Sequence, residues 1–435
     1  MNRLTRYGYH IAPLQGWSND PNGLCYFQER YHVFFQNNPL ATNTKTIGWA
    51  HVSSVDLIHW TREPMALLPD QDYDRDGCFS GSAIQVGEAL YLLYTGHKNL
   101  AQNYAETQCL AVSQDGVVFE KLDNNPIITT PPAGNTHRFR DPKVWQEQEK
   151  FYAVIGGESQ ENLGQVSLYQ SDSITGPWEY VRQVAQAQAG QGTMWECPDY
   201  FTLDGKRVLL VSPKGLDTSY KGGFDTTYFI SDESTCFEEM QVLDAGTDFY
   251  AAATFFDPIN ERRLVWAWFG LPGEQEKETQ HQVGALTLPR ELRVKDGHLR
   301  MQPIAELCEL REQHQKLVNG MVIGGTTELI FQSKNLSAFT LKLSTEQASY
   351  KISYAHQQLM LEIKDVFRNR SKTVSLAMIE EVRLFLDRGL TELFINDGQL
   401  AFTNKCELSG PIKVETNGIT DGNVYLLAAD EKIWQ

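Results

Sequence analysis

Short apolar runs follow one another along residues 1–295, each bounded by Gly, Pro, Asn or Asp. LCYFQERYHVFF, ALYLLYTG, KFYAVIGG, RVLLVSP and RRLVWAWFG are examples. They are rich in β-branched and aromatic residues, and helical periodicity is scarce. Strands this frequent and short predict an all-β chain, whether sandwich, barrel or propeller.

An internal repeat decides among these. HVSSVDLIHW sets Ser54, Asp56 and Trp60 in the order S-x-D-x-x-x-aromatic, and LAVSQDGVVF repeats it with Ser113, Asp115 and Phe119. Looser copies are LYQSDSITGPW, with Ser171, Asp172 and Trp178, and YFISDESTCF, with Ser231, Asp232 and Phe237. The four serines are 59, 58 and 60 residues apart, and Thr287 in GALTLPREL is expected as a degenerate fifth copy. Each unit has room for four short strands, so the repeat predicts a five-bladed β-propeller, which closes radially and protects its sheet edges. From residue 296 the repeat stops. Ile304, Leu307, Cys308 and Leu310 fall near helical spacing and predict a short helix. Beyond it VRLFLDRGLTELFINDGQLAFTN alternates apolar and polar residues, with Asn396-Asp397-Gly398 as a hairpin signal. The expected division is therefore a propeller over 1–295, a partly helical linker over 296–320 and a C-terminal β-sandwich over 321–435.

The repeat also has a chemical consequence. Asp20 lies 34 residues before Ser54, Ser80 33 before Ser113, Asp141 30 before Ser171 and Glu196 35 before Ser231. These residues hold similar phases in blades one to four. If the run that follows each is the innermost strand of its blade, three carboxylates meet at one end of the central axis. Convergent carboxylates point to glycoside hydrolysis, in which one protonates the leaving oxygen and another attacks or activates water. Their separation, which distinguishes retention from inversion, is not readable from sequence.

Charge narrows the ligand. Lys plus Arg total 38 against 55 Asp plus Glu, a net charge of −17, which argues against nucleic acid or an acidic membrane surface as partner. The first residues, MNRLTRYGYHIAPLQGW, contain no apolar core of a secretory signal, and no apolar run reaches membrane-spanning length, so a cytoplasmic location is expected. Seven cysteines, at 25, 78, 109, 197, 236, 308 and 406, include no C-x-x-C pair and read as reduced thiols. Cys197 reads as a small, partly buried residue that helps to place Glu196 rather than as a nucleophile. No H-E-x-x-H, G-x-S-x-G, G-x-x-x-x-G-K-[ST] or G-x-G-x-x-G pattern occurs, so metalloprotease, serine hydrolase, P-loop and Rossmann chemistry have no support. His51, in GWAHVSS, and His137, just before FRDP, are candidates for contact with substrate, while packed or surface positions are expected of the other histidines.

At these acids the chain resembles glycoside hydrolase family thirty-two, the invertase and fructanase family. WSNDPNG at 17–23 is similar to the family's W-M-N-D-P-N-G signature, FRDP at 139–142 to its R-D-P motif and ECP at 196–198 to its E-C-P motif. FFQNNP at 34–39, GWAHVSS at 48–54, FSGS at 79–82, DFYAA at 248–252 and LPREL at 288–292 also match. The resemblance spans nearly the whole chain and implies a propeller followed by a sandwich. It implies a retaining β-fructofuranosidase acting on sucrose or sucrose 6-phosphate, with no metal or organic cofactor. By the resemblance Asp20 is the nucleophile, Glu196 the acid/base, and Asp141 the stabiliser of the oxocarbenium-like transition state. Asn19, Gln36, Trp49, Ser80 and Arg140 would line the fructose subsite, with Trp17 and Phe79 as apolar wall. Arg140, next to Asp141 in sequence, is expected to keep that carboxylate ionised while Glu196 stays protonated. Ser18 stands where the family usually has Met, and Ala252-Ala253 where it often has Pro-Gln.

The expected partner is a small neutral or phosphorylated fructosyl saccharide. A phosphate subsite needs Arg or Lys at the funnel rim, and Arg138, Lys98, Lys214 and Lys221 are candidates by position. A homodimer, with the sandwich in its interface, stays open. Two rival enzyme readings are a fructan (inulin or levan) hydrolase or fructosyltransferase of the same family and an inverting hydrolase similar to family forty-three. A rival of another class is a non-catalytic sugar-binding propeller, whose mark would be a missing acid. None of the three is missing here.

Overall fold

A computed structural model describes residues 6–43, 45–217, 221–232, 237–272, 281–336 (backbone only at 333–336) and 338–434. Cys236 and part of the fourth repeat lie outside the described residues. Five antiparallel sheets are followed by two six-stranded ones. The first strands of the five sheets are Gly16–Phe27, Gly77–Val86, Asn135–Glu147, Gln191–Leu203 and Tyr250–Asp257. Each packs against the next, and the fifth against the first, so they form the inner ring of a five-bladed propeller. A short parallel pairing closes the ring, with Gly16 opposite Gln282 and Trp17 opposite Val283, and so covers the inner edge of blade one.

The burial of each strand explains the sequence pattern. In a blade the second strand is sandwiched between neighbouring blades. Every residue of Arg30–Asn38 but the first is buried, and Val208–Val211 are buried in succession. Continuous apolar runs are therefore blade strands covered on both faces. In the sandwich one face of each strand meets water, and burial alternates along Ala338–Ser344, Ser349–Ala355 and Gln358–Lys364.

The repeat serines also have a structural reason. Ser54, Ser113, Ser171 and Ser231 each end the third strand of a blade. The Ser54 hydroxyl accepts the backbone N–H of Asp56 and Leu57 at 3.1 and 2.9 Å, and Ser113 accepts those of Asp115 and Gly116 at 3.3 and 2.9 Å. Asp56 and Asp115 in turn accept two N–H groups further on, which fixes the turn into the outer strand. Thr287 does not continue this series. It precedes the third strand of blade five, Arg290–Lys295, whose end falls at Lys295-Asp296. Threonine at 287 matches in residue type but not in strand phase.

The stretch expected as a partly helical linker, 296–320, contains two strands and a 3-10 helix. It holds the last strand of blade five, His298–Pro303, a 3-10 helix over Ala305–Leu310, and Arg311–Lys316, which already pairs with Gly422–Leu427 in the sandwich. The spacing read as helical is that of this short 3-10 helix, which buries Leu307 and Leu310. The hairpin at Asn396-Asp397-Gly398 joins Leu390–Ile395 to Leu400–Lys405, with all three turn residues at positive φ.

Propeller and sandwich share one apolar cluster, in which Trp60, Leu264 and Trp266 pack with Phe385, Phe394 and Leu427. They also share a fully buried ionic network. Arg290 donates to Glu392 through Nε and Nη2 at 3.0 and 2.6 Å and to Asp244 through Nη1 at 2.9 Å. His10 bridges Asp387 and Glu392, with 2.8 Å to each. Among the described residues no helix is long and apolar enough to cross a membrane.

Candidate active site

The inner strands are not regular at their funnel ends. Pairing with the second strand skips between Ser18 and Pro21, Phe79 and Gly81, Glu196 and Asp199, and Tyr250 and Ala253, and blade three skips opposite Val154–Gly156. Each of the five inner strands carries such a bulge. Asp141, Cys197 and Ala251 adopt φ of 65°, 47° and 55°, a region that favours glycine. A bulge re-aims a side chain that a flat strand would bury between blades. Pro21, Pro142 and Pro198 fit here because the ladder is already broken and no N–H is needed.

The bulges bring Asp20, Asp141 and Glu196 together from blades one, three and four. Cys197 lies between them: its Sγ is 3.5 Å from Asp20 Oδ2 and 3.7 Å from Asp141 Oδ2, and its N–H donates to Asp141 Oδ2 at 3.0 Å. Burial pushes this thiol well above its ordinary range, with Asp141 and Asp20 adding to the effect, so it stays protonated and acts as a donor. It therefore orders two acids instead of serving as a nucleophile.

Asp20 is held by a closed ring of bonds. Ser80 donates to Asp20 Oδ2 at 2.6 Å and accepts from Gln36 Nε2 at 2.8 Å. Asn19 Nδ2 is 2.6 Å from Gln36 Oε1 and 3.0 Å from Asp20 Oδ1, and Trp17 Nε1 donates to Asn19 Oδ1 at 3.0 Å. Burial raises the Asp20 pKa, opposed by the Ser80 bond and reinforced by the charge of Glu196. Trp49 lies beneath this ring, fully buried, and its indole N–H is given to the Phe79 carbonyl at 3.1 Å. Phe79 is half-buried and stacks on His97, ring centroids 4.2 Å apart. Ser18, the departure from the family signature, is buried and donates to the Val283 carbonyl at 3.3 Å. A small residue thus lets the ring-closing segment approach blade one.

Glu196 sits among the cations of the cluster. Its Oε1 accepts Arg140 Nε at 3.0 Å and Nη2 at 2.8 Å, and lies 2.8 Å from Lys214 Nζ. Its Oε2 accepts the Tyr250 hydroxyl at 2.8 Å. Burial works to raise its pKa, but Lys214 and Arg140 outweigh burial and hold the carboxyl at about 2. The expectation that Arg140 serves Asp141 is corrected here. The two are neighbours in sequence, yet the guanidinium turns to Glu196 and, on its other side, to Glu106, 3.0 Å from both carboxyl oxygens. Asp141 retains only the weaker field of Arg140. Burial and the charges of Glu196 and Asp20 win, and its carboxyl is pushed up to about 7. In the unliganded site Asp141 holds a proton more readily than Glu196 does.

The profile of the glycosyl hydrolases family 32 N-terminal domain matches residues 10–303. The chain belongs to glycosyl hydrolase family 32. Family 32 relatives cover nearly all of it. A sucrose-6-phosphate hydrolase of Escherichia coli is 35% identical over 430 residues, 91% of this chain and 88% of that enzyme. A mutant of the Bombyx mori family 32 β-fructofuranosidase in complex with sucrose superposes with a TM-score of 0.88 at 32% identity, covering 98% of this chain and 94% of that one. The sucrose-6-phosphate hydrolase of Lactobacillus gasseri gives 0.86 at 26% identity, covering 97% and 93%.

Three residues bonded within the acid cluster go beyond the sequence expectations. Tyr250 opens the inner strand of blade five, and its place in DFYAA was the available signal. Glu106 sits near the start of blade two's third strand, Tyr104–Ser113, with no motif around it, and it also accepts the Phe139 N–H at 2.7 Å. Lys214 was proposed only as a rim cation, and nothing in the sequence places it on Glu196. His51, read as close to substrate, is a core residue bonded to His32 and stacked on Phe34. His137 is exposed and stands edge-on to Tyr104.

Proposed function

We propose that this chain is a retaining β-fructofuranosidase that hydrolyses the terminal β-D-fructofuranosyl bond of sucrose or sucrose 6-phosphate. The observation that carries the reading is the convergence of Asp20, Asp141 and Glu196 around Cys197 in a family 32 propeller. Asp20 attacks the anomeric carbon of the fructosyl unit as the bond to the leaving sugar breaks. Glu196 delivers a proton to the departing oxygen. It then takes a proton from the water that releases fructose from Asp20. Both displacements invert the anomeric carbon, so configuration is retained overall.

The polar ring supports Asp20 as the nucleophile. Ser80 and Asn19 bond both of its oxygens and hold one orientation. Asp141 is placed to accept fructose hydroxyls, and bonds from those donors favour its ionised form as positive charge develops on the ring. Gln36, Phe79 and Trp17 shape the fructose subsite, with Trp49 fixing the Phe79 backbone from below. Arg140 acts through Glu196, which it orients. Acting on a phosphorylated sugar is chemistry of the cell interior, and a cytoplasmic location belongs to the same proposal.

The test is direct. Asp20→Ala and Glu196→Ala should each abolish fructose release while the circular dichroism spectrum stays that of the wild type. Near wild-type turnover in either variant refutes the roles. A panel of sucrose, sucrose 6-phosphate, raffinose and inulin, with products followed at high sucrose, separates hydrolysis of the disaccharide from fructan hydrolysis and fructosyl transfer.

A further inference from the structure

Glu196 poses a chemical difficulty that the site itself resolves. A general acid must carry a proton, yet two cations hold this carboxylate ionised. They differ in freedom. The Arg140 side chain is buried, locked between Glu106 and Glu196 by four N–H···O bonds. Lys214 is held at Glu196 by one contact of 2.8 Å, and its side chain is 34% exposed. It stands near the end of blade four's second strand, Lys206–Leu216, directly across from Met194 and between Pro213 and Gly215. Its exposure means that it reaches Glu196 from the solvent side, which the fructosidase reading assigns to the leaving sugar.

The other rim cations considered from sequence are committed elsewhere. Lys221 is buried, 2.7 Å from Asp225 and 3.0 Å from the Asp244 carbonyl. Arg138 pairs with Glu158 at 3.1 Å, and Lys98 pairs with Asp72. None of the three bonds to an acid of the cluster.

We propose that Lys214 recognises an anionic group, a phosphate monoester, on the leaving sugar, and that its transfer from Glu196 to that anion frees Glu196 to be the acid. The inference rests on the fructosidase reading above and deepens it. A sugar phosphate carries more than one negative charge near neutrality and three strong acceptor oxygens. It outcompetes a single carboxylate that already shares Arg140. With Lys214 gone, the groups facing Glu196 are Arg140, half-neutralised by Glu106, the Tyr250 hydroxyl, the Cys197 thiol, and the acids Asp20 and Asp141. That balance favours protonation. The proton stands ready on Asp141, whose carboxyl then ionises against the sugar hydroxyls. A neutral leaving group offers Lys214 no such partner, so the enzyme reads its leaving group through the charge of its acid.

Steady-state kinetics of wild type, Lys214→Met and Lys214→Arg with sucrose and sucrose 6-phosphate, from pH 5 to 9, test this. In the wild type the alkaline limb of kcat should lie at least one pH unit higher with the phosphorylated sugar. In Lys214→Met the two limbs should coincide, and the alkaline limb of kcat/KM should move up with either substrate. The ratio of kcat/KM for sucrose 6-phosphate to that for sucrose should fall tenfold or more in this variant, and Lys214→Arg should keep it within threefold. Coincident limbs in the wild type, or an unchanged ratio in Lys214→Met, overturn the role of Lys214 while leaving the fructosidase intact. No fructose from either sugar with the wild type overturns both.

Discussion

Glu392→Gln measures how firmly the sandwich braces the catalytic propeller. The substitution keeps shape and removes one charge. In the wild type Glu392 Oε1 accepts His10 Nε2 and the Leu288 N–H, both at 2.8 Å, and Oε2 accepts two N–H groups of Arg290. All four partners are donors. A glutamine NH2, turned either way, faces two of them, so the variant loses charge-assisted bonds and gains a donor-donor conflict. Breaking a buried ion pair from one side costs about 3–5 kcal/mol. Urea unfolding at pH 7, followed by tryptophan fluorescence, should show a loss of that size from the midpoint at unchanged slope.

The pH dependence carries a sign. Burial lowers the His10 pKa, but its bonds to Asp387 and Glu392 outweigh burial and raise it to about 9. A raised histidine contributes stability that is complete below its ordinary 6.5 and lost as pH rises through 9. That shift corresponds to about 3 kcal/mol. The gap between wild type and variant should therefore narrow above pH 9. A loss below 1 kcal/mol at pH 7 refutes the view that this network joins the two modules.

Two further perturbations probe the site. Tyr250→Phe removes a hydrogen bond to the ionised Glu196, worth about 1.5–3 kcal/mol, and the alkaline limb of kcat/KM should rise by about one to two units; a limb that falls or stays contradicts the bond. Gly81→Ala places a Cβ 2.0 Å from the Leu93 carbonyl oxygen; it should destabilise by about 3 kcal/mol or more, seen as a lower melting temperature together with lost turnover, because Ser80 sits in the same bulge.

The repeat was legible because blades one and two make the same turn after their third strand, with Ser and Asp closing it through their own side chains. The three acids were legible because their bulges recur at one phase of that repeat. The direction of Arg140 was not. Sequence adjacency suggests partnership with Asp141, but adjacent strand residues face opposite sides, and the φ of 65° at Asp141 turns it further away. One residue in each of two other matched motifs proved to be structural. Arg290 of LPREL and Asp248 of DFYAA tie the propeller to the sandwich, the latter through Arg368 at 3.1 Å and the Lys405 N–H at 2.9 Å. A motif marks that a residue is needed, whereas burial and partners tell whether chemistry or assembly needs it.

The charge of the site then follows from its wiring. Asp20, Asp141, Glu196 and Glu106 face two cations, Arg140 and Lys214. With every acid ionised the cluster would carry a net charge of −2, and the elevated Asp141 pKa lets it keep one proton near neutrality. The remaining negative charge lies towards Asp20, where the fructosyl carbon becomes positive in the proposed transition state. Glu106 is essential to this distribution although it faces away from the acids. Without it Arg140 would be a full buried cation against Glu196, and the acid would hold its proton even less readily. The funnel thus leaves anion uncompensated on the side the proposed reaction gives to the fructosyl unit, the polarity that cleavage with positive charge on the sugar demands, whereas the cations beside Glu196 oppose its role as acid until one of them is drawn away.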